Sequence, residues 1–492
     1  MKFSLITNKQ VSTSANIILT VFSVKDVLAH PLLKPLAAED KKYIAGAIAN
    51  AKLGRKDILV YNLPSAPQRR IVILGLGEKN KWSRHNLLLA ARRIVVALKT
   101  HRIQSAIIGL DDFNTRGLTP ASALVLAIQN MIMASFDFVD YKAKPEGGWP
   151  EIEEISIVCR PSKTLERALN EGLTIGQEVN ECRRLSNTPG GIMTPRKLAQ
   201  EALAVGKRIK SVKVKVLPEA KIKELGMGGV IGVSQGSSEK PQFIIMEYGP
   251  VKKTPIVFVG KGVTFDTGGL NLKPSDGIYE MHMDMSGGAA VIHAIEAIAK
   301  LKLPVRVIGL VPAVENMPSG SSYHPGDLLK TITGKTIEIL NTDAEGRVIL
   351  ADGLGYAQRY KPSLVIDVAT LTGAAVVALG QRTNALFSNK EKLLRLGKDV
   401  GDATGDYAWP MPLWEEYDDD IKGTFGDVAN LGKTRYGGSI TGAAFLKQFV
   451  GDFPWIHLDI APMMTTIDGQ YLSKGSSGAG VRFLVEMAKR FV

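Results

Sequence analysis

Two carboxylates and an arginine, each two residues from the next, crowd into Asn341-Thr342-Asp343-Ala344-Glu345-Gly346-Arg347. Carboxylates packed together without a cation push one another's pKa up, and a charge is rarely buried without a partner or a metal. A site for hard divalent cations accounts for such a cluster economically. An isolated pair of this kind is more often a solvated turn with an Asp cap, but this pair has companions upstream. Gly260-Lys261-Gly262-Val263-Thr264-Phe265-Asp266-Thr267-Gly268-Gly269 carries one lysine and one aspartate, and Lys273 follows. Asp284 then stands among methionines at the head of a small-residue segment, Ser286-Gly287-Gly288-Ala289-Ala290. Combined, these segments offer Asp266, Asp284, Asp343 and Glu345 as oxygen ligands, with Lys261, Lys273 and Arg347 as cations.

The elements that must position these groups are legible as patterns. Thr336-Ile337-Glu338-Ile339-Leu340 alternates like a strand entering the core, which puts Asp343 and Glu345 beyond its C-terminal end, where α/β sheets hold ligands. Ile256-Val257-Phe258-Val259 is a short apolar run typical of a buried parallel strand. The glycine-rich stretch after it reads as a loop, and it has neither the phosphate-loop nor the dinucleotide-loop spacing.

At this point the chain resembles the leucyl aminopeptidases of the cytosol aminopeptidase family, for which Asn-Thr-Asp-Ala-Glu-Gly-Arg is the signature. The likeness covers most of residues 175–492. It includes Asn187-Thr188-Pro189, Glu315-Asn316-Met317-Pro318, Pro325-Gly326-Asp327, Asp367-Val368-Ala369-Thr370-Leu371-Thr372-Gly373-Ala374 and His457-Leu458-Asp459-Ile460-Ala461. Thr267, Val348 and His324 depart from the commoner family residues, and none replaces a ligand.

The resemblance implies two divalent metal ions per subunit, Mn2+ or Zn2+, sharing Asp266 and Glu345. Asp343 would complete one site, and Lys261 with Asp284 the other. Lys273 would polarise the scissile carbonyl, and Arg347 would hold a bicarbonate ion as general base. By the same resemblance Met281, Thr370, Gly373, Ala461 and Met464 line the pocket for the N-terminal side chain. Two methionines give it an apolar, adaptable floor. The substrates implied are peptides with a free N-terminus, and the assembly implied is a homohexamer with the larger domains inward.

Other chemistries find little footing. No HExxH occurs, which excludes a zincin protease, and no GxSxG elbow. His457, in a strand pattern beside Trp455, reads as a core histidine rather than a ligand. Cys159 and Cys182 are too few for a thiolate zinc site and suit a reducing compartment. No apolar run reaches the roughly 18 residues that span a bilayer, and Asn8-Lys9-Gln10 cuts short the first apolar stretch. A cytoplasmic protein with no membrane association is the expectation.

At 492 residues, 45% of them hydrophobic, the chain is long enough for two or three domains. The expected fold is α/β in two parts: a small N-terminal α/β domain and a larger C-terminal catalytic domain built on a mostly parallel sheet. Residues 1–160 form the first, with strands at Ile71–Leu74 and Ile107–Leu110 and helices at Ser83–Thr100 and Ala121–Ala134. Residues 161–186 form a connecting helix, weakened by Gly172 and Gly176, and residues 187–492 the catalytic domain. Residues 1–160 hold 22 basic and 13 acidic residues, a net of +9 out of +13, with 12 of the basic ones between Lys52 and Arg102. A solubilising surface is the ordinary reading. The sharper one is an anion-binding face that binds DNA weakly through the DNA backbone, and the alternative function it supports is a nucleic-acid-binding regulator in which peptidase activity is secondary.

Overall fold

The computed structural model describes residues 1–492 apart from Thr13 and Lys52. The fold is α/β. Two compact units are present: residues 1–177 with 468–473, and residues 178–467 with 474–492.

In the first unit six strands form one sheet: β1 (Lys2–Ile6), β2 (Ile17–Val21), β3 (Ile58–Leu63), β4 (Ala66–Gly75), β5 (Ser105–Gly109) and β6 (Glu154–Val158). Their spatial order is β1-β6-β5-β2-β4-β3. Only β3 runs antiparallel, against β4. Period-two alternation decides which face each residue serves. On β2 and β4, Ile17, Leu19, Ile71 and Ile73 pack with α1 (Val24–Ala29) and α2 (Ala38–Ile48). Ile18, Val72 and Leu74 face the opposite way, onto α3 (Arg84–Thr100) and α4 (Pro120–Ser135). The sheet is therefore covered on both faces, as buried parallel strands require.

Helix α5 (Lys163–Asn187) follows, unbroken by its two glycines. A Cβ on Gly172 would lie 2.9 Å from the Ile128 Cβ, and one on Gly176 would lie 2.8 Å from the Ile132 Cβ. Close packing on α4 explains both glycines, so a feature that lowers intrinsic helix propensity is set by tertiary contact. The boundary between the units falls within this helix, after Gln177, and the short return of residues 468–473 to the first unit had no sequence signal.

The second unit carries β7 (Val212–Pro218), β8 (Gln242–Tyr248), β9 (Ile256–Gly260), β10 (Gly262–Asp266) and β11 (Val307–Asn316). β12 (Leu328–Lys330) and β13 (Thr336–Glu338) come next, then β14 (Leu364–Ala369), β15 (Asn384–Ser388), β16 (Ala408–Pro410), β17 (Val428–Ala429) and β18 (Trp455–Asp459). The main sheet runs β16-β15-β18-β14-β9-β11-β8-β7, with β10 joined to β11. Its centre, β18-β14-β9-β11, is parallel throughout.

Two expectations are corrected here. The stretch after β9 is not only a loop, because Gly262–Asp266 pairs in parallel with β11. And Thr336–Leu340 is not a strand of the main sheet. Only Thr336–Glu338 is paired, in a separate three-stranded sheet with β12 and β17. The Leu340 and Asn341 amides donate instead to the Asn430 side chain.

Candidate metal centre

The four central parallel strands end side by side, and each delivers a polar group at its C-terminal end. Lys261 follows β9, Asn316 closes β11, Thr370 follows β14, and Asp459 closes β18. Asp266 ends β10. Asp343 and Glu345 arrive from a short turn, Thr342–Ala344, that leads into the helix Glu345–Ala357. The Asn341 side chain caps that turn by accepting from the Asp343 amide at 2.7 Å.

These segments bring all seven sequence-selected groups into one region. Ligand oxygens of Asp266, Asp343 and Glu345 lie within 4.8 Å of one another. Lys261 Nζ is 2.8 Å from Asp284 Oδ1, 2.9 Å from Glu345 Oε1 and 3.0 Å from the Thr370 carbonyl. Lys273 Nζ is 2.8 Å from Asp266 Oδ2 and also pairs with Asp343. Arg347, buried, donates from Nη1 to the Asn430 carbonyl at 3.0 Å.

The electrostatics show crowding. Burial, then the neighbouring Glu345, raises the Asp266 carboxyl above its usual range. Burial pushes Asp284 up to about 8, against the pull of Lys261. Asp343 is likewise raised, by burial and then by Asp266. Burial opposes charge on both lysines, but the carboxylates around them outweigh it and hold each above the ordinary lysine range. Burial lowers Arg347 to about 10.

The groups fit divalent cations on their own chemistry. Glu345 Oε2 is buried with no hydrogen-bond partner, and so is Arg347 Nε. Hard oxygen donors, acidic, buried at Asp266 and Glu345 and half-buried at Asp343, are what such ions satisfy.

Asn316 was quoted in the sequence only as part of a motif, and its role comes from the structure. Its Nδ2 donates to Asp266 Oδ1 at 2.8 Å and to the Thr342 carbonyl at 2.9 Å, tying the two ligand segments together. Tyr323 adds a hydroxyl bond to the same carbonyl at 2.8 Å. Thr370, selected as a pocket residue, also donates to Asp284 Oδ1 at 2.6 Å.

The remaining pocket residues fall into two places. Met281 opens the turn that leads to Asp284 and is half-buried. Gly373 starts the helix Gly373–Leu379, which packs against the turn beginning at Ala461; Met464 caps that turn. Asp459 fixes both sides. Its Oδ1 accepts from the Leu371 amide at 3.0 Å and the Ala461 amide at 3.1 Å, and its Oδ2 from the Thr372 hydroxyl at 2.7 Å.

Residues 180–485 match the profile of the cytosol aminopeptidase family catalytic domain, and residues 41–145 that of the family's N-terminal domain. The chain belongs to the cytosol aminopeptidase family. It is 40% identical over 476 residues to a probable cytosol aminopeptidase of Geobacter sulfurreducens, covering 94% of this chain and 95% of that one. Against a probable cytosol aminopeptidase of Bdellovibrio bacteriovorus it is 37% identical over the whole of both chains. Among solved structures it is similar to the bottromycin maturation enzyme BotP in complex with Mn, with a TM-score of 0.84 at 29% identity over 97% of this chain and 99% of that one. Metal-dependent aminopeptidase chemistry is the family's reaction class and that of this chain. Among the described residues no helix is long and apolar enough to cross a membrane.

Two histidines hold carboxylate partners without belonging to the ligand set. Glu178, His293 and Glu296 also converge, but Lys300 and Arg208 already pair with Glu296 at 3.0 and 2.8 Å, and Lys300 with Glu178 at 2.5 Å. Two cations balance two carboxylates there, so the cluster is an ion-pair network. His457 lies buried in β18 with Nδ1 2.5 Å from Asp367 Oδ1, a core histidine held by a carboxylate.

Proposed function

We propose that this chain is a dinuclear aminopeptidase that releases leucine and other apolar residues from the N-termini of peptides. The observation that carries the reading is the convergence of Asp266, Asp343 and Glu345 at the ends of the parallel strands, with Lys261 and Lys273 against them. Asp266 and Glu345 would be shared by two cations, Mn2+ or Zn2+, with Asp343 completing one site and Lys261 and Asp284 the other. Two divalent cations, when bound, supply a water of lowered pKa, charge stabilisation for the carbonyl oxygen and a seat for the free N-terminal amine.

The chain's own residues do the rest. Lys261 must shed its proton to act as a ligand, which nearby dications favour. Lys273 stays protonated and donates from Nζ to the scissile carbonyl oxygen. Arg347, with Nε free of any hydrogen-bond partner, would hold a bicarbonate ion, which would supply a general base. Met281 and Met464 meet the substrate side chain, and Asp459 keeps the Thr370–Gly373 and Ala461 segments in register. A homohexamer in the cytoplasm is part of the proposal and rests on family likeness alone.

Paired assays of leucine p-nitroanilide and its N-acetyl form test the exopeptidase reading. Hydrolysis of the free form only is expected; equal hydrolysis of both would overturn it.

Four of the twelve basic residues behind the DNA-binding alternative are engaged within the first unit. Arg69, Arg92 and Arg93 are buried. Arg69 donates to the Ala15 carbonyl and Arg93 to the Arg55, Gly75 and Asp57 carbonyls. Arg92 bonds the Asn130 side chain, and Arg70 the His101 carbonyl. These cations brace the domain's interior and loops. Lys52 lies outside the described residues.

A further inference from the structure

The first unit has a cavity of about 570 Å³ that the peptidase reaction does not use. Its position follows from topology. From β2 the chain passes through α1 and α2 on one face of the sheet to reach β3, on the β4 side. From β5 it passes through α4 on the other face to reach β6, on the opposite side. The connections therefore diverge between β2 and β5, and in open α/β sheets ligands bind outside the carboxyl ends of the strands at such a point. The cavity lies there. Thr20 and Phe22 come from the end of β2, Leu76 follows β4, and Asp111 and Asp112 follow β5.

The lining has three kinds of group. Phe22 and Trp82 supply aromatic surface, their rings edge-to-face at 5.7 Å, and Trp82 is pinned by donating Nε1 to the Asn114 carbonyl and the Thr115 hydroxyl, each at 3.0 Å. Lys79 and Arg116 are exposed cations, Lys79 Nζ standing 6.0 Å from the Phe22 ring centre. Asp111 is exposed, with Oδ1 held by Asn114 at 3.2 Å. Asp112, by contrast, is committed to the fold. It accepts from the Thr20 amide, the Thr20 hydroxyl and the Gly109 amide, and pairs with His30 at 3.2 Å.

We infer that this crevice binds a nucleoside phosphate: the base against Phe22 and Trp82, the phosphate at Lys79 and Arg116, and the sugar hydroxyls donating to Asp111. An aromatic ring face suits a base of any identity, cations on the same lining suit phosphate, and the volume falls in the roughly 300–1,000 Å³ range of small-molecule sites. The inference stands independently of the peptidase reading, since no residue of the metal centre lies in this unit.

Calorimetric titration of the metal-loaded, full-length protein tests it, with AMP, adenosine and inorganic phosphate as separate probes. AMP binding is expected to exceed that of adenosine and of phosphate by about tenfold or more. Lys79→Glu with Arg116→Glu should remove at least about tenfold of AMP affinity, while hydrolysis of leucine p-nitroanilide is unchanged. Both positions are exposed, so folding is not at risk. Phosphate binding as tightly as AMP would make this a plain anion site. Absence of AMP binding, AMP binding indifferent to the double substitution, or AMP binding that vanishes when the metals are removed would each overturn the inference.

Discussion

Lys261 Nζ occupies the space that a side chain on Gly346 would need: a Cβ built there would lie 2.7 Å from that nitrogen. The lysine cannot step aside, because Asp284, Glu345 and the Thr370 carbonyl hold it from three directions. The glycine between the signature glutamate and arginine is thus fixed by a residue 85 positions earlier in the chain. Gly346→Ala should fold, since alanine favours a helix more than glycine does, yet lose about 100-fold in activity through displacement of Lys261. Activity beside a thermal melt checks this; a fully active Gly346→Ala protein would mean Lys261 has room to move.

Ligands and polarising groups should separate in a metal analysis. Asp343→Ala and Glu345→Ala should lose bound metal and more than about 100-fold in activity, the upper end of what outer-shell losses produce. Lys273→Ala should lose comparable activity with its metal retained. Arg347→Ala should be milder, since water or buffer can partly replace an ion held by one arginine. Mass spectrometry of purified variants decides, and a Lys273→Ala protein stripped of both ions would reassign that residue.

Asn316 should behave as a support for the ligands. With its Nδ2 bonded to Asp266 and to the Thr342 carbonyl, Asn316→Ala should weaken metal affinity by about 10–100-fold. Excess metal should restore most of the rate. Failure of added metal to rescue the variant would place Asn316 in direct contact with substrate.

The pH dependence follows from Asp284, whose carboxyl in the metal-free protein is pushed up to about 8, chiefly by burial. Below that pH a proton competes with a cation, so metal affinity should fall as pH drops from about 9 to 7, with protons released on binding. Stability of the metal-free protein has the opposite sign. A folded pKa above the unfolded value of about 3.9 gives a contribution that is full at low pH and lost as pH rises through about 8. Melting curves of metal-free and metal-loaded protein between pH 6 and 9 should diverge upward in pH. Parallel curves would contradict the assignment.

Specificity should decline gradually. A pocket floored by Met281 and Met464 distinguishes leucine from shorter side chains by about 1 kcal/mol per methylene, and offers N-terminal Asp or Lys no partner. Comparable kcat/KM for N-terminal Asp and Leu substrates would displace these residues from the pocket.

Much of this was legible in the chain, for stated reasons. Helices α3, α4 and α5 follow from periodicity, and the seven charged groups stand out because charge in apolar sequence needs a reason. What failed was long-range. Nothing local reveals that Thr336–Glu338 pairs away from the main sheet, since a strand's partner is chosen by tertiary contact. Nor does a count of charges show that Arg69, Arg92 and Arg93 are spent on backbone carbonyls. The role of Asn316 required knowing that β11 ends beside Thr342.

The most direct test of the central claim is hydrolysis of leucine p-nitroanilide by metal-stripped protein, re-supplied with single divalent metals. The account predicts no activity when stripped and recovery with Mn2+ or Zn2+ that saturates near two ions per chain. Full activity in the stripped protein, or saturation at one ion, would contradict a dinuclear centre built on Asp266 and Glu345.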